Sequence, residues 1–116
     1  MENIVEKCNW SEWKPFPDPR KGEYLHAPYG FGVYQLRNIK TKEFVLFGKS
    51  NNLAFKMSCL LPKPLGQGTR KNEDKRTYVL KNLSYIEYRT LAFFKKEHMH
   101  ECEHFLKEEN NHIFNT

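Results

Sequence analysis

The sequence predicts an α+β domain, a small sheet with helices packed against it. Three observations lead there: two adjacent strand-like runs joined by a short polar link, a third run rich in aromatic and β-branched residues, and helical segments placed between and after them. The predicted order is β-β-α-α-β-α over residues 28–116, preceded by an arm over residues 1–27.

The arm contains Pro15, Pro17 and Pro19 among Trp10, Trp13, Phe16 and Tyr24. Disordered segments are poor in aromatics, so this stretch is expected to pack on the domain. It has acidic residues and prolines where a signal peptide needs a basic start and an apolar run, and no stretch approaches membrane-spanning length. Three widely spaced cysteines, Cys8, Cys59 and Cys102, form no CxxC pair. They predict reduced thiols in a soluble, cytoplasmic protein.

The runs FGVYQLRN and EFVLFGKS, separated by IKTK, predict a hairpin. NNLAFKMSCLL predicts a short helix capped by Asn51 or Asn52 and stopped by Pro62. PKPLGQGT is a loop by its Pro and Gly content. NEDKRTYVLKNL predicts a helix with acids in its first turn and an apolar stripe of Val79, Leu80 and Leu83. YIEYRTLAFF is the third strand and KKEHMHECEHFLKEEN the last helix.

Charge is unevenly spread over a net +5. Lys63 to Lys81 carries six basic residues against Glu73 and Asp74, and Lys95 to Glu109 carries three lysines against five glutamates. The first segment is a candidate phosphate grip, with Arg70, Lys71, Lys75 and Arg76 exposed by intervening turn residues. A solvated helix face explains the same composition.

The last helix contains His100-Glu101-Cys102-Glu103-His104, which spells the HExxH zinc-peptidase signature. At 100° per residue, Met99, Cys102, Phe105 and Leu106 form the apolar stripe. Glu103 lies on its edge, and His100 and His104 turn towards solvent. Only twelve residues follow His104, too few for the usual downstream third ligand, so no zinc is expected.

Taken together, Gly32-Val33-Tyr34, the LFG of the next strand and GKSNNLAFK resemble the GIY-YIG nuclease family. The third strand, a helix bearing Glu103, and Asn115 in the terminal FNT follow in the family's order. KMSCLLPKPLGQGTRKN resembles a group of small proteins of that family. The resemblance covers residues 28–116 and implies a three-stranded antiparallel sheet flanked by helices. It also implies metal-dependent hydrolysis of a nucleic-acid phosphodiester, most naturally DNA. Glu103 would hold Mg²⁺ or Mn²⁺ together with phosphate oxygens, and Tyr34 would orient or deprotonate water. Lys56 would neutralise developing phosphate charge, Asn115 would complete the set, and Lys49 would join the basic contacts. Two positions depart from the pattern: Leu46 stands where the family has tyrosine and Lys56 where it has arginine. Lysine keeps the charge but loses the bidentate fork. The expectations are therefore a weak endonuclease, an inactive nucleic-acid-binding module of the same fold, or a protein adaptor using the aromatic arm.

Overall fold

The computed structural model describes residues 10–18, 22, 30–58 and 73–114. Strands β1 (Lys14–Pro15), β2 (Gly32–Asn38), β3 (Glu43–Ser50), β4 (Ile86–Ala92) and β5 (His112–Phe114) form one sheet in the order β1-β4-β2-β3-β5. Helices α1 (Leu53–Ser58), α2 (Glu73–Lys81) and α3 (Lys96–Glu109) accompany it, and a 3-10 turn, Leu83–Tyr85, leads into β4. The architecture is α+β.

The sheet departs from the expected three antiparallel strands. Central β2 does pair antiparallel with both β3 and β4, but β1 extends one edge and β5 runs parallel to β3 at the other. The sheet is therefore mixed and five-stranded. Both added strands are too short for a period of two to show in sequence. Pro15, which has no N–H to give, fits an edge strand. β5 is reached because Asn110 turns the chain in the left-handed region (φ 50°) at the end of α3, a conformation asparagine tolerates well.

The hairpin loop between β2 and β3 is closed by Asn38. Its carbonyl accepts from Lys42 N at 2.8 Å, and its side-chain oxygen accepts from Lys40 N and Thr41 N at 2.9 and 3.1 Å. Helix α2 stops earlier than the apolar stripe suggests. The Asn82 side-chain amide donates to the Tyr78 carbonyl at 2.9 Å, an example of asparagine competing with the helical ladder.

Each face of the sheet has its own core. Tyr34, Leu36, Val45, Leu46, Ile86 and Tyr88 meet Leu53 and Met57 of α1, Val79 of α2 and Phe16 of the arm. Across the sheet, Val33, Phe47 and Leu91 meet Met99, Cys102 and Leu106 of α3. These α3 residues belong to the stripe the sequence predicts, and Cys102 is fully buried within it. Among the described residues no helix is long and apolar enough to cross a membrane.

Candidate functional site

The GVY and LFG segments are joined across the hairpin. Tyr34 lies directly opposite Gly48 in the β2–β3 register and is only 4% exposed. A Cβ built on Gly48 would stand 2.6 Å from Tyr34 Cε1 and 2.7 Å from its hydroxyl oxygen, so the glycine makes the space the ring fills. Gly32 does the same for the first helix: a Cβ there would meet Leu53 Cδ2 at 2.7 Å and the Leu91 carbonyl oxygen at 3.0 Å. Leu53 N also donates to the Gly30 carbonyl at 3.3 Å. The two glycines thus set how closely tyrosine and helix approach the sheet. Leu46 is fully buried beside them, an apolar core residue of this face.

The residue after Gly48 points the other way, as strand alternation requires. Lys49 Nζ reaches α3, lying 2.7 Å from His100 Nδ1 and 3.5 Å from Glu103 Oε1. An ammonium can only donate, so His100 Nδ1 accepts and its proton sits on Nε2. Lys107, one turn further along α3, approaches the same Glu103 oxygen at 3.9 Å. Glu103 is half-sheltered, with its side chain 20% exposed. His104 is exposed and faces Glu108 at 3.3 Å, so the two histidines of the HExxH pattern have different partners.

This grouping brings together two of the sequence-predicted site residues, Lys49 and Glu103. Tyr34 and Lys56 belong to the opposite face. Lys56 is exposed on α1, and its charge is felt by Lys75 on α2. Burial first, and then that neighbouring charge, lowers the Lys75 ammonium from its ordinary value. Helices α1 and α2 therefore place two predicted cations near each other, with Arg76 next in the chain and half-buried. Arg70, Lys71 and Asn115 lie outside the described residues.

The chain matches no family model, no curated protein and no solved structure. Its chemistry has to be read from its own side chains.

Among the described residues no three His, Cys, Asp or Glu side chains gather as a metal site. Glu103, a single carboxylate already facing two ammonium groups, does not fit a resident divalent ion on its own, because Mg²⁺ is ordinarily held by carboxylates together with phosphates and water.

A polar row on the α3 face was not visible in sequence. Arg89 Nε donates to Gln35 Oε1 at 2.8 Å, and Gln35 Nε2 lies 3.0 Å from His112 Nε2. Because arginine fixes which end of the amide faces it, Gln35 must donate to His112. The imidazole is then neutral with its proton on Nδ1. Burial, and secondarily the Arg89 charge, lowers the His112 pKa to about 4. Among the described residues the buried His112 Nδ1 has no hydrogen-bond partner. Phe44 stacks on the ring at 5.2 Å and Phe47 meets it edge-on at 4.8 Å.

The arm covers this row. Arg89 lies 4.2 Å from the Trp10 ring centre and 4.7 Å from that of Trp13, and Arg37 lies 4.1 Å from Trp13. Arg37 also donates through Nε and Nη2 to Glu87 Oε1 at 2.8 and 2.6 Å. Ser11 N donates to the Thr90 carbonyl and Phe16 N to the Ile86 carbonyl, both at 2.9 Å, which pins the arm along β4. Alternating polar residues at 35, 37, 87 and 89 were the available signal, yet an exposed sheet face gives the same pattern. Only the tryptophans' position shows that the row is covered.

Proposed function

We propose that this chain is a GIY-YIG-like domain that acts on nucleic acid as a weak endonuclease. The observation that carries the reading is the direct pairing of Tyr34 with Gly48, next to a Lys49 that meets Glu103 on α3. That pairing supplies a packing reason for the tyrosine of the first motif and the glycine of the second to occur together. The Lys49–Glu103 contact supports a polar centre beside it.

On this reading Lys49 holds a phosphate oxygen beside Glu103, which takes a position next to the scissile group, and Lys56 and Lys75, across the sheet, hold phosphates elsewhere along the strand. Mg²⁺ or Mn²⁺, entering with the substrate phosphates, would supply a Lewis acid; Glu103 is the protein ligand available to it. Tyr34 is nearly buried, which suits orienting a neighbour better than exchanging protons with bulk water. Weak rather than efficient hydrolysis follows from the missing arginine fork at Lys56 and the missing hydroxyl at Leu46.

A second reading, a binding module without hydrolysis, is favoured by the engagement of Glu103 with Lys49 and Lys107. One experiment separates the two. Equal amounts of folded parent, Lys56→Arg and Lys56→Arg/Glu103→Gln are incubated with supercoiled plasmid and with single-stranded and branched DNA, with Mg²⁺ or Mn²⁺ and with chelator. The endonuclease reading expects Lys56→Arg to raise cleavage through a firmer, bidentate hold on the strand, and Glu103→Gln to remove it. No cleavage by any variant, with salt-sensitive binding retained, leaves the binding module. No binding at low salt sinks both.

A further inference from the structure

Phe94 is the most exposed large apolar side chain among the described residues, at 103% of its reference surface. It is presented by anchored neighbours. On one side Phe93 packs against the α3-face core and its N–H donates to the Phe31 carbonyl at 3.0 Å. On the other, Met99 is buried and its N–H donates to the Lys95 carbonyl at 3.3 Å. An aromatic ring held out on a fixed corner has little ordering left to lose when something stacks on it.

Its surroundings indicate what would stack. Lys95 and Lys96 follow directly, both exposed, at the N-terminal end of α3. Glu108 and Glu109 stand at the other end. Glu97 in the first turn and Lys107 in the last suit the helix dipole, so the dipole does not account for Lys95 and Lys96 standing beside the ring. Exposed lysines beside a bare ring complement an anionic partner with a flat apolar surface. His100, whose Nδ1 meets Lys49, lies roughly one helical turn, about 6 Å, beyond Lys96 along α3.

We propose that Phe94, flanked by Lys95 and Lys96, is a stacking platform for an unpaired nucleobase, so that the preferred ligand is single-stranded nucleic acid or a duplex with an unpaired nucleotide. The inference rests on the nucleic-acid reading above and narrows it. Single-strand binders pair cations that follow the backbone with aromatic rings on which bases stack, and a base inside a regular duplex offers no free face. An anionic bilayer would also meet a ring and two lysines, but the apolar stripe of α3 is buried in the core. One ring is then too little apolar surface for stable membrane adsorption.

The test measures binding of the full-length protein to a labelled oligothymidylate, to a blunt duplex of equal length, and to the duplex with one unpaired thymidine. Phe94 is fully exposed and belongs to neither core cluster among the described residues, so its variants are expected to keep the fold. Phe94→Ala is expected to weaken binding to the single strand and the bulged duplex about tenfold, to spare the blunt duplex, and to leave the log–log salt slope unchanged. Phe94→Tyr should restore affinity. Lys95→Gln/Lys96→Gln should instead reduce the single-strand salt slope, by roughly 0.7 for each phosphate no longer neutralised. Equal single-strand affinity of parent and Phe94→Ala overturns this inference while leaving nucleic-acid binding itself intact. Absence of binding by the parent removes both. Vesicles containing phosphatidylserine that bind the parent and not Phe94→Ala, with DNA affinity unmoved, would reassign the ring to a membrane.

Discussion

The two faces of the sheet are built on different principles. The face under α1 and α2 is dry: Tyr34, Leu36, Leu46, Leu53, Met57, Val79 and Tyr88 fill it, and its tight points are the two glycines that let a ring and a helix approach. The face under α3 is half apolar and half polar, with Met99, Cys102 and Leu106 over one part and the Trp10, Arg89, Gln35, His112 row over the rest. The difference teaches that motif resemblance and polar chemistry need not occupy one side. The residues that look most like a family signature are held by shape, and the exchangeable groups lie across the sheet. Lys49 belongs to the second set because it is one residue past Gly48.

The polar face should therefore carry the pH dependence of stability. Neutral in the folded chain down to about 4, His112 binds a proton near 6.5 once the chain unfolds. Between those values the unfolded state holds more protons than the folded one, so stability falls as pH drops from 6.5 towards 4 and is complete above 6.5. The loss is on the order of 3 kcal/mol across that window. His112→Gln keeps an acceptor for Gln35 and cannot titrate, so urea unfolding of this variant should lose most of the acid slope. A slope equal to the parent's would show that the row is not the origin.

The dry face should fail by crowding instead. Gly48→Ala drives a Cβ into the Tyr34 ring and is expected to destabilise by about 2 kcal/mol at every pH. Tyr34→Leu removes the Cε1, Cζ and hydroxyl atoms that the new Cβ would meet. In the double variant the two losses should therefore fall short of their sum by about 1 kcal/mol. Simple additivity in a denaturant cycle would remove the ring-to-glycine contact as the reason for the pairing.

How much of this was legible in sequence follows from the same contrast. Strands β2, β3 and β4 and helix α3 could be read because their apolar periodicity is sustained over seven residues or more. β1 and β5 could not, since two and three residues hold no period. Glu103 on the edge of the α3 stripe was readable by angle alone, and Lys49 as its partner was not, because that contact spans 54 positions between a strand and a helix. The residues around His112 carry no apolar pattern that marks it as buried. Its burial depends on the parallel pairing with Phe44, which no local pattern announces.

The hairpin that joins β2 to β3 serves both faces and so provides a control. Lys42 sits in its loop at φ 62°, a left-handed conformation that costs a side-chain-bearing residue about 1 to 2 kcal/mol. Glycine removes that strain but gives back part of the gain through its freer unfolded chain. Lys42 is exposed, and its N–H to the Asn38 carbonyl is a backbone bond that survives the change. Lys42→Gly should therefore stabilise by about 0.5 to 1 kcal/mol, the smallest of these effects and the only gain. Because the loop closes the ladder without touching either core, the acid slope due to His112 and the coupling between Gly48 and Tyr34 should both be unchanged in its background. A shift in one of them alone would mean that the hairpin favours one face, and that the two cores are not independent.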